Sequence, residues 1–184
     1  MKHLVLMSKA PQIGRTKTRL AASIGKVNAW AFHRRTLLET ARKLKDTRWT
    51  CSIAVTPDTA AENTHIWPNG WDIFPQGHGD LGDRMLRPMT DFPPGPVVLV
   101  GTDIPDIEPD HIAAAFEALG ENNWVFGPAT DGGFWLVGAK RTPHLDNPFK
   151  DVRWSTEFAL ADTIDNLPDG TSIGFVETLS DVDE

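Results

Sequence analysis

The sequence predicts an α/β fold in which helices cover a mixed, mainly parallel sheet, in a single domain of residues 1–184. Three observations lead to this prediction. Residues 97–100 are uniformly aliphatic, as strands buried on both faces are. Apolar runs of strand length alternate with segments of helical periodicity, which is typical of α/β proteins. A chain of 184 residues is long enough to bury a substantial core without disulfides.

Composition narrows the class of protein. One cysteine, Cys51, excludes an internal disulfide, and the first apolar run, residues 4–7, is too short for a membrane span. A net charge of −7 argues against a nucleic-acid-binding protein. We therefore predict a cytoplasmic protein with no membrane span and no nucleic-acid partner. The early cations Lys9, Lys17 and Arg19 favour a small anionic ligand near the amino-terminal segment.

The first half of the chain contains strands at residues 3–8, 50–56 and 71–75 and an amphipathic helix at residues 29–44. Between the first strand and a helix, residues 9–20 form a loop that contains Pro11 and Gly14. A strand, a glycine-containing loop and a helix amino terminus make a phosphate-binding geometry. A plain surface loop with a solvated basic cluster is the alternative, because the spacing matches neither a Walker loop nor a dinucleotide fingerprint.

A second glycine-rich stretch, residues 76–85, leads into the next helix, with Asp80 or Asp83 as its cap. Its glycines allow the backbone to approach a ligand closely, although a flexible connector with one cap is equally compatible with the sequence. The central strand then ends at Gly101, followed by Thr102 and Asp103. A carboxylate at this edge of an α/β sheet is a candidate ligand for a hard divalent cation. The alternative is that Asp103 only caps the helix starting near residue 108.

The last third of the chain contains a helix at residues 111–119 and two strands, residues 124–129 and 134–138. Asp131 and two glycines join these strands, which is a strong hairpin signal and also sets a carboxylate at the tip. Ser155 is the predicted N-cap of the final helix, and residues 173–176 are a predicted edge strand.

Seven short motifs occur in one order along the chain: Lys-Ala-Pro at residues 9–11, then residues 17–20, 76–85, 101–105, 127–135, 154–156 and 181–183. Together they resemble a bacterial family of transferases, the radical-SAM/selenodomain-associated transferase 1 family, also described as arsenosugar-biosynthesis-type glycosyltransferases. The resemblance implies a three-layer, Rossmann-like GT-A fold of the nucleotide-diphospho-sugar transferase superfamily. It covers nearly the whole chain.

The resemblance also implies a set of site residues. Asp103, Lys17 and Asp131 would be catalytic, and Asp103 would bind Mg²⁺ or Mn²⁺ with Asp181 or Asp183 completing the metal shell. The nucleotide would contact residues of the two loops and of the central turn: Lys9, Ala10, Pro11, Gly14, Lys17, Arg19, Gly77, Gly79, Asp80, Leu81, Gly82, Arg84 and Thr102. The sugar or acceptor would face Asp131, Gly132, Gly133, Trp135, Trp154, Ser155 and Thr156.

Three functions are compatible with these residues. The first is glycosyl transfer from a nucleotide sugar to a small-molecule acceptor; the second is nucleotidyl transfer from a nucleoside triphosphate to a phosphorylated acceptor, with release of pyrophosphate. The third, a catalytically silent nucleotide-binding module, is suggested by Phe134, which stands where the family commonly has tyrosine. The sequence leaves the base, sugar, acceptor and oligomeric state open.

Overall fold

The computed structural model describes residues 1–141 and 145–180. Over these residues the strands are His3–Lys9 (β1), Thr50–Thr56 (β2), Asp72–Pro75 (β3), Pro96–Gly101 (β4), Trp124–Pro128 (β5), Phe134–Lys140 (β6) and Ile173–Phe175 (β7). The α-helices are Thr18–Ile24 (α1), Lys26–Leu44 (α2), Leu81–Asp91 (α3), Pro109–Glu121 (α4) and Ala159–Asp165 (α5). Two 3₁₀ helices, Asp58–Glu62 and Thr64–Ile66, lie between β2 and β3.

The seven strands form one sheet in the order β3-β2-β1-β4-β6-β5-β7. Every neighbouring pair is parallel except those of β6, which runs antiparallel to both β4 and β5. From β1 the chain builds towards β2 and β3 on one side, and then crosses to β4 on the other. The carboxyl ends of β1 and β4 therefore flank the position at which an open α/β sheet has its ligand crevice.

Helices cover both faces of the sheet. Apolar residues of α2 and α4 pack against one face, and those of α3 and α5 against the other. The buried stripe of α2 includes Ala29, His33, Leu37, Ala41 and Leu44, which recur at helical spacing. The predicted three-layer architecture is confirmed. No helix in the described ranges is both long and apolar enough to cross a bilayer.

Two local predictions need correction. The long helix begins at Lys26, three residues earlier than predicted, directly after the separate helix α1. Ser155 is not the N-cap of the last helix, because α5 begins at Ala159 after Phe158. The Thr156 hydroxyl donates to the Arg153 carbonyl (2.7 Å) and accepts from the Phe158 N–H (3.3 Å), and this turn postpones the helix. Ser155 adopts a left-handed backbone with φ 60°.

Candidate functional site

A cleft of about 620 Å³ opens at the carboxyl ends of β1, β2 and β4. The amino-terminal half of the chain lines it with Met7, Ser8, Lys9, Thr16, Lys17, Thr18, Arg19, His33, Thr56, Gln76, Leu81, Arg84 and Met85. The other half lines it with Gly101, Thr102, Asp103, Ile104, Ala129, Asp131, Gly133, Phe134, Trp135, Trp154, Ser155 and Ala159. The cleft therefore spans both sides of the point at which the strand order reverses.

Asp103 lies two residues beyond β4, at the middle of the sheet edge where the cleft opens. Its Oδ2 is 3.1 Å from Lys17 Nζ. The Lys17 side chain is only 7% exposed and that of Asp103 36%, so the pair is partly shielded from water. Asp103 Oδ1 is buried and accepts no hydrogen bond from the described part of the chain. This carboxylate retains an unused acceptor in a cleft of ligand size.

Asp103 does not cap the helix that follows it. Helix α4 begins after Glu108, whose backbone N–H donates to His111 Nδ1 at 3.0 Å. The capping alternative for Asp103 is therefore wrong, and its carboxylate is available for another contact.

The loop after β1 brings its cations to the cleft and directs its small residues elsewhere. Lys9, Lys17 and Arg19 line the cleft, and Lys17 enters α1 from a left-handed backbone conformation with φ 49°. Ala10 is buried in the core, while the Pro11 carbonyl accepts a hydrogen bond from the Trp30 indole (3.0 Å). Neither these two residues nor Gly14 lines the cleft. They shape the loop that carries the charges.

In the glycine-rich loop only Leu81 and Arg84, of the residues predicted from the resemblance, line the cleft. Asp80 caps α3: its Oδ1 accepts from the Asp83 N–H (2.9 Å), and Asp83 Oδ2 accepts from the Asp80 N–H (3.1 Å). A Cβ built on Gly82 would lie 2.5 Å from the Phe149 Cβ, so close helix packing requires glycine there. Gly77 and Gly79 lie outside the cleft lining, with left-handed backbones.

The opposite side of the cleft is rich in aromatic residues. Phe134, Trp135 and Trp154 line it beside Asp131, Gly133 and Ser155, whereas Gly132 and Thr156 do not. Phe134 and Trp154 meet edge to face, with ring centroids 6.2 Å apart. The Trp135 indole donates to the Glu177 carbonyl at 3.0 Å, but Trp154 Nε1 is buried without an acceptor among the described residues. We call Phe134, Trp135 and Trp154 the aromatic wall.

His33 and Gln76 are among the polar residues of the cleft lining to which the sequence assigned no role. His33 is 4% exposed, and its Nε2 lies 2.9 Å from the Lys9 carbonyl oxygen. Gln76 is 5% exposed, and its amide donates to the carbonyls of Ser8 (3.2 Å) and Ala54 (2.9 Å). His33 lies in the apolar stripe of α2, where periodicity indicates only burial, so the sequence carried no signal for it. Gln76 opens the motif of residues 76–85, and the resemblance implies no contact for its side chain.

Asp103 fits a divalent cation as a single protein ligand. Its unpartnered Oδ1 is a hard oxygen donor of the kind that Mg²⁺ and Mn²⁺ prefer. Among the described residues no three His, Cys, Asp or Glu side chains converge to form a metal cage. Mg²⁺ in nucleotide sites is commonly held by one or two carboxylates together with phosphates and water. The other predicted ligands, Asp181 and Asp183, lie outside the described residues.

Solved structures share this fold. The crystal structure of a proposed nucleotide-diphospho-sugar transferase from Desulfovibrio desulfuricans G20 has a TM-score of 0.89 and 25% sequence identity, over 99% of this chain and 82% of that chain. CMP:2-keto-3-deoxy-manno-octonic acid synthetase complexed with CTP has a TM-score of 0.56 at 13% identity, over 99% of this chain and 92% of that one. The fold prediction, that of the nucleotide-diphospho-sugar transferases, is confirmed.

A third structure, glucosyl-3-phosphoglycerate synthase from Mycobacterium tuberculosis in complex with Mg²⁺ and uridine-diphosphate, has a TM-score of 0.53 at 11% identity. The match covers 98% of this chain and 69% of that chain. A sequence profile described as "Uncharacterized protein conserved in bacteria" (DUF2064) matches residues 39–156. A search of curated proteins found no match.

Proposed function

We propose that the chain, which belongs to the DUF2064 family, is a metal-dependent glycosyltransferase that uses a nucleotide-diphospho-sugar donor. The observation that carries the proposal is the pairing of Lys17 with Asp103 at the switch point of the sheet, opposite the aromatic wall. Within the superfamily we assign the chain to the radical-SAM/selenodomain-associated transferases on the strength of its ordered motifs.

The donor diphosphate would lie between the cations of the β1–α1 loop and Asp103. Lys17 and Arg19 would stabilise the negative charge that accumulates on the departing nucleoside diphosphate. Asp103, together with phosphate oxygens, would hold Mg²⁺ or Mn²⁺, which supplies Lewis-acid neutralisation of the diphosphate when bound. These residues act on the leaving group, and an acceptor hydroxyl would attack the anomeric carbon.

The aromatic wall supports sugar transfer. Aromatic faces pack well on the apolar faces of sugars, and Trp154 Nε1 is a buried donor without a partner among the described residues. Asp131 Oδ1 accepts the Gly133 N–H at 2.8 Å, which orients its carboxylate beside the wall. This carboxylate would hold or deprotonate the acceptor hydroxyl.

Arg84 supports the second candidate, nucleotidyl transfer. It is a cation of α3 that lines the cleft, where it would bind an acceptor phosphate, and its Nε donates to the Gly79 carbonyl at 3.1 Å. In that reaction the acceptor phosphate attacks the α-phosphorus in line, and pyrophosphate leaves. Apart from the cations assigned to the diphosphate, Arg84 is the single cation of the cleft lining, whereas three aromatic side chains line the cleft, and this composition favours the glycosyl reaction.

A thermal-shift screen tests the proposal. Nucleoside diphosphates, triphosphates and nucleotide sugars are added to the intact chain with and without Mn²⁺, because a ligand that binds only the native state raises Tm. We expect a metal-dependent rise with one nucleotide sugar. A rise confined to one triphosphate would move the assignment to nucleotidyl transfer. The absence of any rise would contradict all three candidate functions, because each of them requires a bound nucleotide.

A further inference from the structure

Gly101, the last residue of β4, is a glycine that the local backbone does not require. It is not among the residues with a left-handed backbone, and a Cβ built on it meets no heavy atom within 4 Å. Glycine in a strand lowers stability, because it loses backbone freedom on folding and packs no side chain in return. Because Gly101 also lines the cleft, the missing side chain leaves open space in which a ligand can approach the strand.

The open space lies on the face of the sheet that α3 and α5 cover. Along β4, Leu99 belongs to the core cluster of that face, and Val100 belongs to the cluster of the α2 and α4 face. Side chains alternate along a strand, so a side chain at Gly101 would point to the same face as that of Leu99. Met7, the register partner of Gly101 in β1, packs against the same cluster.

Apolar side chains surround this open space. Four residues both line the cleft and pack in or against the core cluster of the α3 and α5 face: Met7, Met85, Phe134 and Trp154. They come from β1, α3, β6 and the segment before α5, so distant parts of the chain converge here. We call these four residues and Gly101 the apolar recess. Trp135 is not part of it, because its ring packs in the cluster of the opposite face.

The recess offers a ligand few hydrogen bonds. Its side chains are two thioethers and two aromatic rings, and the one strong donor among them, the Trp154 indole N–H, is buried. A sugar ring in the recess would lose the water that binds its hydroxyls without gaining protein partners, which costs free energy. An apolar ring avoids this cost, and an aromatic one gains contacts with thioether sulfur and with other aromatic rings.

Charged side chains lie beside the recess in the same cleft. Lys9 ends β1, Arg84 lies on α3, and Asp131 lies in the turn between β5 and β6. The Arg84 Nε is used on the Gly79 carbonyl. Under the proposed function, Lys9 lies near the donor diphosphate and Asp131 near the attacking hydroxyl. A ring bound in the recess would therefore carry its hydroxyl towards the transferred sugar.

We infer that the apolar recess binds the acceptor, and that the acceptor is an alcohol or phenol built on an apolar ring. In the transfer step the hydroxyl oxygen forms the new bond to the anomeric carbon. The bond from that carbon to the diphosphate breaks, the nucleoside diphosphate leaves with the electron pair, and the hydroxyl proton passes to Asp131. That the occupant is the acceptor rests on the proposed function, whereas the chemistry of the recess does not.

Fluorine NMR of the intact chain with para-fluorobenzyl alcohol tests this inference. The probe has an apolar ring and one hydroxyl, and broadening of its fluorine line reports even weak binding. We expect the wild type to bind the probe, and we expect an equal concentration of glycerol, a polyol, not to displace it. A wild-type protein that does not bind the probe, or that releases it to glycerol, would overturn the assignment of an apolar ring.

Gly101→Val fills the recess from the strand. Valine suits a strand, so Tm should not fall, whereas affinity for the probe should fall at least about tenfold, because added volume is poorly tolerated in a packed site. Gly101→Ala, which adds one carbon, should lower the affinity less. The matched control is Gly120→Ala, since Gly120 in α4 also has open space for a Cβ and lies outside the cleft lining. Wild-type probe affinity in Gly101→Val would remove the recess as the binding site.

Calorimetry of Gly101→Val with nucleoside diphosphates and Mn²⁺ separates the acceptor from the nucleotide. We expect the wild-type affinity for the diphosphates. A loss as large as that for the probe would place the recess in the nucleotide site and overturn its assignment to the acceptor.

The outcomes also separate the two proposals. If a nucleotide sugar raises Tm but the probe does not bind, this inference alone fails. If the probe binds at Gly101 and no nucleotide raises Tm, the proposed transferase fails, and the recess remains a site for apolar rings without an acceptor role.

Discussion

At the scale of single residues, Asp103 is the first to test. Asn keeps the shape of the side chain at this turn, so Asp103→Asn should fold with a Tm close to that of the wild type. It loses the charge that a divalent ion requires, and metal-supported nucleotide affinity should fall by about an order of magnitude or more. Calorimetry with Mn²⁺ measures this. The exposed Asp106 lies outside the cleft lining, and Asp106→Asn is the matched control. Wild-type affinity in Asp103→Asn would remove Asp103 from the metal site.

Lys17 and a metal ion would compete for the same carboxylate. Lys17 Nζ is 3.1 Å from Asp103 Oδ2, so a cation arriving there meets both a like charge and an occupied oxygen. Lys17→Met keeps the aliphatic stem and removes the charge. We expect Mn²⁺ to bind this variant more tightly than the wild type when nucleotide is absent, whereas nucleoside diphosphates bind less tightly.

Electron paramagnetic resonance of free Mn²⁺ measures the first effect, and calorimetry with a diphosphate and its free nucleoside measures the second. Lys150→Met, at an exposed lysine outside the cleft lining, should change neither. Weaker Mn²⁺ binding by Lys17→Met would contradict the competition, and equal losses for diphosphate and nucleoside would indicate damage away from the phosphates.

At the scale of elements, the N-terminal cap of helix α3 allows a contribution to stability to be distinguished from a contribution to nucleotide binding. Asp80 and Asp83 cap its amino terminus reciprocally. Asp80→Ala should lower the free energy of unfolding by about 1 kcal/mol, while Asp80→Asn, which still caps, should lose much less. Urea denaturation followed by circular dichroism measures both. Nucleotide affinity should stay within about twofold in both folded variants, because Asp80 lies outside the cleft lining. A selective loss of nucleotide binding would instead place Asp80 in the site, as the family resemblance implies.

At the scale of the whole molecule, stability should depend on pH through His3, at the edge of the sheet opposite the cleft. His3 is buried and stacks on Phe92 with ring centroids 4.8 Å apart. Burial, and secondarily the positive amino terminus, lower the pKa of His3 below its usual 6.5. The unfolded chain therefore takes up the proton more readily than the folded chain does.

The contribution of His3 to stability is fully present above pH 6.5 and is lost as the pH falls from there through the lowered pKa. Urea denaturation at pH 7.5 and pH 5.0 should show a larger loss of unfolding free energy for the wild type than for His3→Gln. Subtracting the loss measured for His3→Gln from that of the wild type removes the contributions of all groups that titrate in both proteins. Equal losses would show that His3 titrates alike in the folded and unfolded chains.

Much of the fold was predictable because its signals are local. The uniformly aliphatic run of β4 and the glycine turn between β5 and β6 each identify an element within a few residues of chain. The error at the last helix was local too. The hydrogen bonds of the Thr156 hydroxyl to Arg153 and Phe158 form a turn that delays the start of α5, and the spacing of residues does not show whether a hydroxyl will form such a turn or cap a helix. For the candidate site the sequence identified Lys17 and Asp103 separately, but not their contact across 86 positions.

By itself the sequence determined the fold class, the order of the elements and the two loops that carry charge to one edge of the sheet. Periodicity and turn chemistry depend on residues that are close in the chain, and they can therefore be recognised in the sequence. Only the tertiary structure decided that Lys17 meets Asp103, that Asp80 is used in a cap, and that the side chains of His33 and Gln76 contact backbone carbonyls at the end of β1. Those outcomes depend on which donors meet which acceptors after distant segments pack together, and hydrogen-bond satisfaction is a property of the folded chain.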